Sequence, residues 1–84
     1  MYKAAVMGDY DSIYGFAALG LGTFPVTDPE AAKQTLKKLA DGAYAVIYIT
    51  EALAANLEEE LEFYRGKQLP AIILIPGVFG NTGA

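Results

Sequence analysis

The residues best placed to do chemistry are the acids of Gly8-Asp9-Tyr10-Asp11 and of Thr50-Glu51. Each group follows an apolar run that reads as a strand. Two such strands side by side would bring Asp9, Asp11 and Glu51 to one end of a sheet, where α/β folds bind their ligands. Three carboxylates there offer the charge and the hard oxygen ligands that suit magnesium. Each acid also has an ordinary use. Asp11 can cap a short helix, Asp9 can make a turn, and Glu51 fits a helical first turn, where the dipole favours a negative charge. The ordinary uses account for all three acids, so no metal is expected. A phosphate cradle fits less well. Gly8 lies between a strand and a helix, but no G-x-G-x-x-G spacing or G-K-[ST] ending follows, and two acids would repel an anion. Gly20-Leu21-Gly22 follows a helix rather than a strand and reads as a helix stop. No cofactor is expected.

The same acids could serve a receiver-like or small-ligand signalling domain built on Asp9, Asp11 and Glu51. That reading asks for a phospho-accepting Asp after the third strand, where Thr50-Glu51 stands, and for a Lys after a fifth strand that this chain lacks. Composition narrows the field further. Among the 84 residues there is no His and no Cys, which removes the commonest general base, the commonest metal ligand, thiolate chemistry and disulfides. Six Lys and Arg against ten Asp and Glu give a net charge of −4, the wrong sign for a nucleic-acid partner. At 54% hydrophobic the chain has material for one core. No apolar run approaches the roughly 18 to 20 residues of a membrane span, and no charged-then-apolar leader opens the chain. An intracellular binding domain, rather than an enzyme, is expected.

The elements that position these residues follow from hydrophobic pattern. Residues 44–49 (YAVIYI) and 69–75 (LPAIILI) are apolar without alternation, as strands buried on both faces are. Residues 2–7 (YKAAVM) make a first strand, and 22–26 a weaker second one, placed at the sheet edge by Pro25. Between the first two strands, Asp11 opens a helix that buries Ile13, Phe16 and Ala17. Asp28 caps the next helix with Pro29 at its first position, and Thr27 with Glu30 offers an alternative capping box. Ala32, Leu36, Leu39 and Ala40 face inward there, Lys33, Lys37 and Lys38 outward, and Gly42 supplies a left-handed end. The third cover comes in two pieces: a short turn from Thr50-Glu51, then a helix capped by Asn56 with Leu57, Leu61 and Tyr64 as its buried stripe. Glu58, Glu59 and Glu60 at its start, with Arg65 and Lys67 near its end, complement the dipole. Tyr44 and Tyr48 share a strand face, with Tyr64 packing over it.

This order predicts a Rossmann-like α/β fold: a four-stranded parallel sheet, order 2-1-3-4, with helices on both faces. Residues 1–77 make the globular head, and 78–84 a flexible Gly-rich tail that starts a C-terminal segment cut short. Without a further helix the last strand is thinly covered, which marks Leu69, Ile73, Val78 and Phe79 as a candidate partner surface.

Several segments, in order, resemble the F subunit of the V-type and archaeal A-type rotary ATPases. They are Ala5-Val6-Met7-Gly8-Asp9 with Asp11, then Gly15-Phe16 with Leu19-Gly20, residues 44–51 (YAVIYITE) and residues 70–76 (PAIILIP). Family members often carry a basic residue after the Gly-Phe pair, where this chain has Ala17, and continue into a C-terminal helix. The resemblance implies a non-catalytic central-stalk rotor component, cytoplasmic and peripheral to the membrane. Its implied partner is the coiled-coil D subunit, with the ring of catalytic and nucleotide-binding subunits around both. Its implied role is to couple or regulate ATP hydrolysis or synthesis with ion transport.

Overall fold

Apolar runs become four strands: β1 (Lys3–Gly8), β2 (Gly22–Pro25), β3 (Tyr44–Thr50) and β4 (Ala71–Ile75). In the computed structural model, which describes residues 3–78, they pair in parallel in the order β2-β1-β3-β4. Five helical pieces join them. These are α1 (Tyr10–Ile13) running into a 3₁₀ turn (Tyr14–Leu19), α2 (Pro29–Ala40), α3 (Glu51–Ala54) and α4 (Glu58–Arg65). The expected fold class and strand order are both present. Pro25 lies on an edge strand, where its missing N–H costs no ladder bond.

Register sorts the side chains into two layers. Ala5 pairs with Ile47 and Ile47 with Ile72, while Met7 pairs with Ile49 and Ile49 with Leu74. These positions share one face. Ala5, Met7, Ile47 and Ile49 join Ala32, Leu36 and Leu39 of α2, Leu53 and Ala54 of α3, and Leu57 in one buried cluster. On the other face Val6 pairs with Tyr48 and Tyr48 with Ile73. Val6 and Ile13 are fully buried, and Phe16 stacks on Tyr48 with ring centroids 6.3 Å apart. So α2, α3 and α4 cover one face, and only α1 and the 3₁₀ turn serve the other.

Several local expectations are corrected. Asp9, not Asp11, caps α1: its carboxylate accepts from the Ser12 N–H at 3.1 Å, the reach of a cap to the third helical residue. Asp11 instead sits exposed in the first turn. The segment then tightens to 3₁₀ geometry, whose three-residue period breaks the expected stripe. Ile13 is buried and Phe16 half-buried, but Ala17 is exposed. Asp28 caps α2 through the Ala31 N–H at 2.9 Å, leaving the Thr27–Glu30 box unused. The left-handed helix end is at Gly20, with φ 88°, and not at Gly42. Leu57 rather than Asn56 occupies the N-cap of α4, because burial of Leu57 sets where the chain turns. Leu61 and Tyr64 are only half-buried beside it. Leu69 and Pro70 precede β4 instead of belonging to it. Lys33 is half-buried rather than outward and bridges Glu30 at 3.3 Å and Glu60 at 3.9 Å, tying α2 to α4. A hydrogen bond to Glu30, that acid's charge and then the charge of Glu60 raise the Lys33 pKa above its ordinary 10.5.

Tyr44 and Tyr48 do not share a face. The β1–β3 register slips between Lys3 and Ala4, because Lys3 pairs with Tyr44 but Ala4 with Val46. One extra residue in β3 reverses the side-chain alternation. Tyr44 therefore turns into the helical layer, edge-on to Phe24 at 5.9 Å, with the Lys3 ammonium 4.8 Å from its ring centre. Tyr2, Phe79 and residues 80–84 lie outside the described residues.

Candidate functional site

The carboxyl ends of β1, β3 and β4 meet in one junction. Gly8 ends β1 with φ 154°, and a β-carbon there would overlap the Thr50 side chain, with its Oγ1 2.7 Å away and its Cγ2 nearer still. The strands can therefore approach this closely only at a glycine. Asp9 follows, and its Oδ2 accepts from both the backbone N–H and, at 2.8 Å, the hydroxyl of Ser12. The Ser12 oxygen in turn accepts from the Val78 N–H at 2.9 Å, a bond between residues 66 apart in sequence. Gly77 is buried beneath it, and a β-carbon at Gly77 would lie 2.8 Å from the Ser12 Oγ. One serine thus binds the α1 cap to the chain leaving β4.

This use of Asp9 changes what the acids can do. Its carboxylate already serves two donors. Asp11 and Glu51 are exposed, and among the described residues no group of three acids stands close enough to share a metal ion. Asp9 borders a shallow depression of about 170 Å³ with Thr27, Thr50 and Asn56. Glu51 instead faces a separate depression with Glu58, Glu62 and Arg65. A receiver-like site would have to draw these together and strip Asp9 of its bonds to Ser12. Asp9→Ala should cost about 0.5 to 2 kcal/mol in a urea melt, the usual cost of losing a cap. Asp11→Ala should stay within about 0.5 kcal/mol. Equal losses would remove Asp9 from the junction account.

The four candidate interface residues separate. Leu69, 46% exposed, lies at the amino end of β4. Ile73, 43% exposed, faces the thinly covered side, and Val78 is held against α1 by Ser12. Phe79 falls outside the described residues. Sequence reasoning missed Ser12 and Gly77. The Asp9-x-x-Ser12 spacing is that of a cap and its third residue, so Asp9 was recoverable. The Val78 bond left no local signal.

Among the described residues, no helix is long and apolar enough to cross a membrane. The family model for the ATP synthase (F/14-kDa) subunit matches residues 4–84. The chain is 52% identical over 82 residues to the V-type ATP synthase F subunit of Clostridium perfringens, covering 96% of this chain and 78% of that protein. It is 40% identical over 81 residues to the V-type ATP synthase F subunit of Fusobacterium nucleatum, covering 96% and 77%. The A-type ATP synthase F subunit of Methanosphaera stadtmanae is 40% identical over 79 residues, covering 92% and 74%. The family match spans all four strands of the parallel sheet, and the chain belongs to the F-subunit family of the V-type and A-type ATP synthases, a component of a rotary ATPase complex.

Proposed function

We propose that this chain is the globular head of a non-catalytic rotor subunit in the central stalk of a V/A-type ATPase, on the cytoplasmic side and peripheral to the membrane. It binds the coiled-coil D subunit within the catalytic ring, and couples or regulates ATP hydrolysis or synthesis with ion transport. Family membership is the observation that carries this reading. The chemistry of the site supports its non-catalytic half. The chain has no His or Cys, and the best-placed carboxylate is occupied by Ser12. The one hydroxyl that lies against a carboxylate, Ser12 on Asp9, is tied through its oxygen to the Val78 N–H, which suits a structural junction better than an activated nucleophile.

Two measurements test it. The purified chain should show no ATP turnover alone, and it should bind the isolated coiled coil of the D subunit in a calorimeter. Turnover by the chain itself would contradict the non-catalytic half. Absence of binding to that coiled coil would remove the rotor assignment.

A further inference from the structure

The two faces of the sheet differ in cover and in charge, and the difference points to a docking surface. Phe16 reaches over Tyr48, and beyond it the face presents Ile73 and Ile75, with Val78 held at its end by Ser12. Val46 and Ala71 pair on this same face, so β3 and β4 offer it no charged side chain. The neighbouring Leu74 is as exposed as Ile73, at 49% against 43%, but points to the other side. There it shares a depression with Glu51, Glu58, Glu62 and Arg65, as an ordinary solvated surface does. Exposure alone therefore does not distinguish the two residues. Their surroundings do.

The faces also differ in how much charge they carry: Asp28, Glu30, Asp41, Glu51 and the four glutamates of α4 lie with the helical layer, and so do the cations. All six Lys and Arg lie on the side of the helical layer. Lys3 sits over the Tyr44 ring, Lys33, Lys37 and Lys38 are on α2, Arg65 is on α4, and Lys67 lies over Phe63 of α4. Among the described residues, α1, which serves the open face, carries no Lys or Arg and one exposed carboxylate, Asp11, since Asp9 is taken up by Ser12. Two neighbouring strands spaced about 4.8 Å apart present a strip about as wide as one α-helix, roughly 10 Å. We propose that this strip, centred on Ile73, docks an amphipathic α-helix whose apolar stripe is flanked by Lys or Arg. This rests on the rotor reading and names the face through which the head would grip the D subunit.

The test is calorimetric titration of the chain with the coiled coil of the D subunit, at low and at high salt. Ile73→Lys places a cation in the apolar strip and should weaken binding at least about tenfold. If Ile73→Lys fails to fold, Ala71→Lys, on the same face at an already exposed position, should also weaken it. Leu74→Lys, on the opposite side, should leave affinity within about threefold. Asp11→Asn should weaken binding by about two- to fivefold at low salt, and that difference should vanish at high salt. Unchanged affinity in folded Ile73→Lys or Ala71→Lys would overturn the face while leaving the rotor reading standing. A larger loss in Leu74→Lys would do the same. No binding by the unsubstituted chain would overturn both. Sedimentation showing a dimer that Ile73→Lys abolishes would assign the face to a second copy of the chain and overturn the helix.

Discussion

Gly8→Ala is expected to destabilise the domain by about 2 to 6 kcal/mol, from two separate causes. An alanine at φ 154° is strained, which costs about 1 to 3 kcal/mol. Its β-carbon must also displace Thr50, a residue only 1% exposed, and crowding of that kind costs a similar amount. A domain of this size has about 4 to 12 kcal/mol of stability in all. The variant should therefore melt at much lower urea, and its amide spectrum should show the greatest changes at the ends of β1 and β3. Gly15→Ala is the control, since a β-carbon there meets nothing within 4 Å. Equal midpoints for the two variants would refute the close approach of Gly8 to Thr50.

Ile47→Ala should cost about 2 to 5 kcal/mol. Ile47 lies on a central strand, paired on one side with Ala5 and on the other with Ile72, and it is fully buried in the cluster under α2, α3 and Leu57. Few neighbours could close the resulting gap, because strands flank it and helices roof it. Lys37→Ala should change stability by less than about 0.5 kcal/mol, because Lys37 makes only an exposed pair with Asp41 at 3.7 Å. Comparable losses in denaturant melts would mean that the two faces of the sheet are wrongly assigned.

Much of the architecture could be read without coordinates because it rests on pattern. An apolar run without alternation, such as residues 44–49, fits a strand inside a covered sheet, and Asp28-Pro29 marks a helix start through local chemistry alone. The same pattern misled at residues 71–75, expected to be buried on both faces, which form the edge strand β4 with Ala71, Ile73 and Leu74 exposed. What escaped was set by tertiary contacts. The slip in register beside Tyr44 is a negotiation between β1 and β3, and nothing near Tyr44 announces it. Leu57 takes the cap position over Asn56 because burying leucine outweighs one capping bond. At the candidate site Asp9 and Asp11 were given each other's local tasks, since Asp9 makes the cap expected of Asp11, and Asp9 and Glu51 border separate depressions. The partner surface was legible only as apolar residues near the last strand. Which of them share a face required the pairing of Tyr48 with Ile73.

The bond from Val78 to Ser12 also sets how the head would bear tension. β4 is an edge strand held on one side only, and an edge strand pulled from its free end opens like a zipper, one ladder bond at a time. Here the pull would first reach Ser12, and through it Asp9, which directly follows the central strand β1. The load would enter the middle of the sheet, where the ladders on both sides of β1 share it in shear. Ser12→Ala would hand that load to β4 alone.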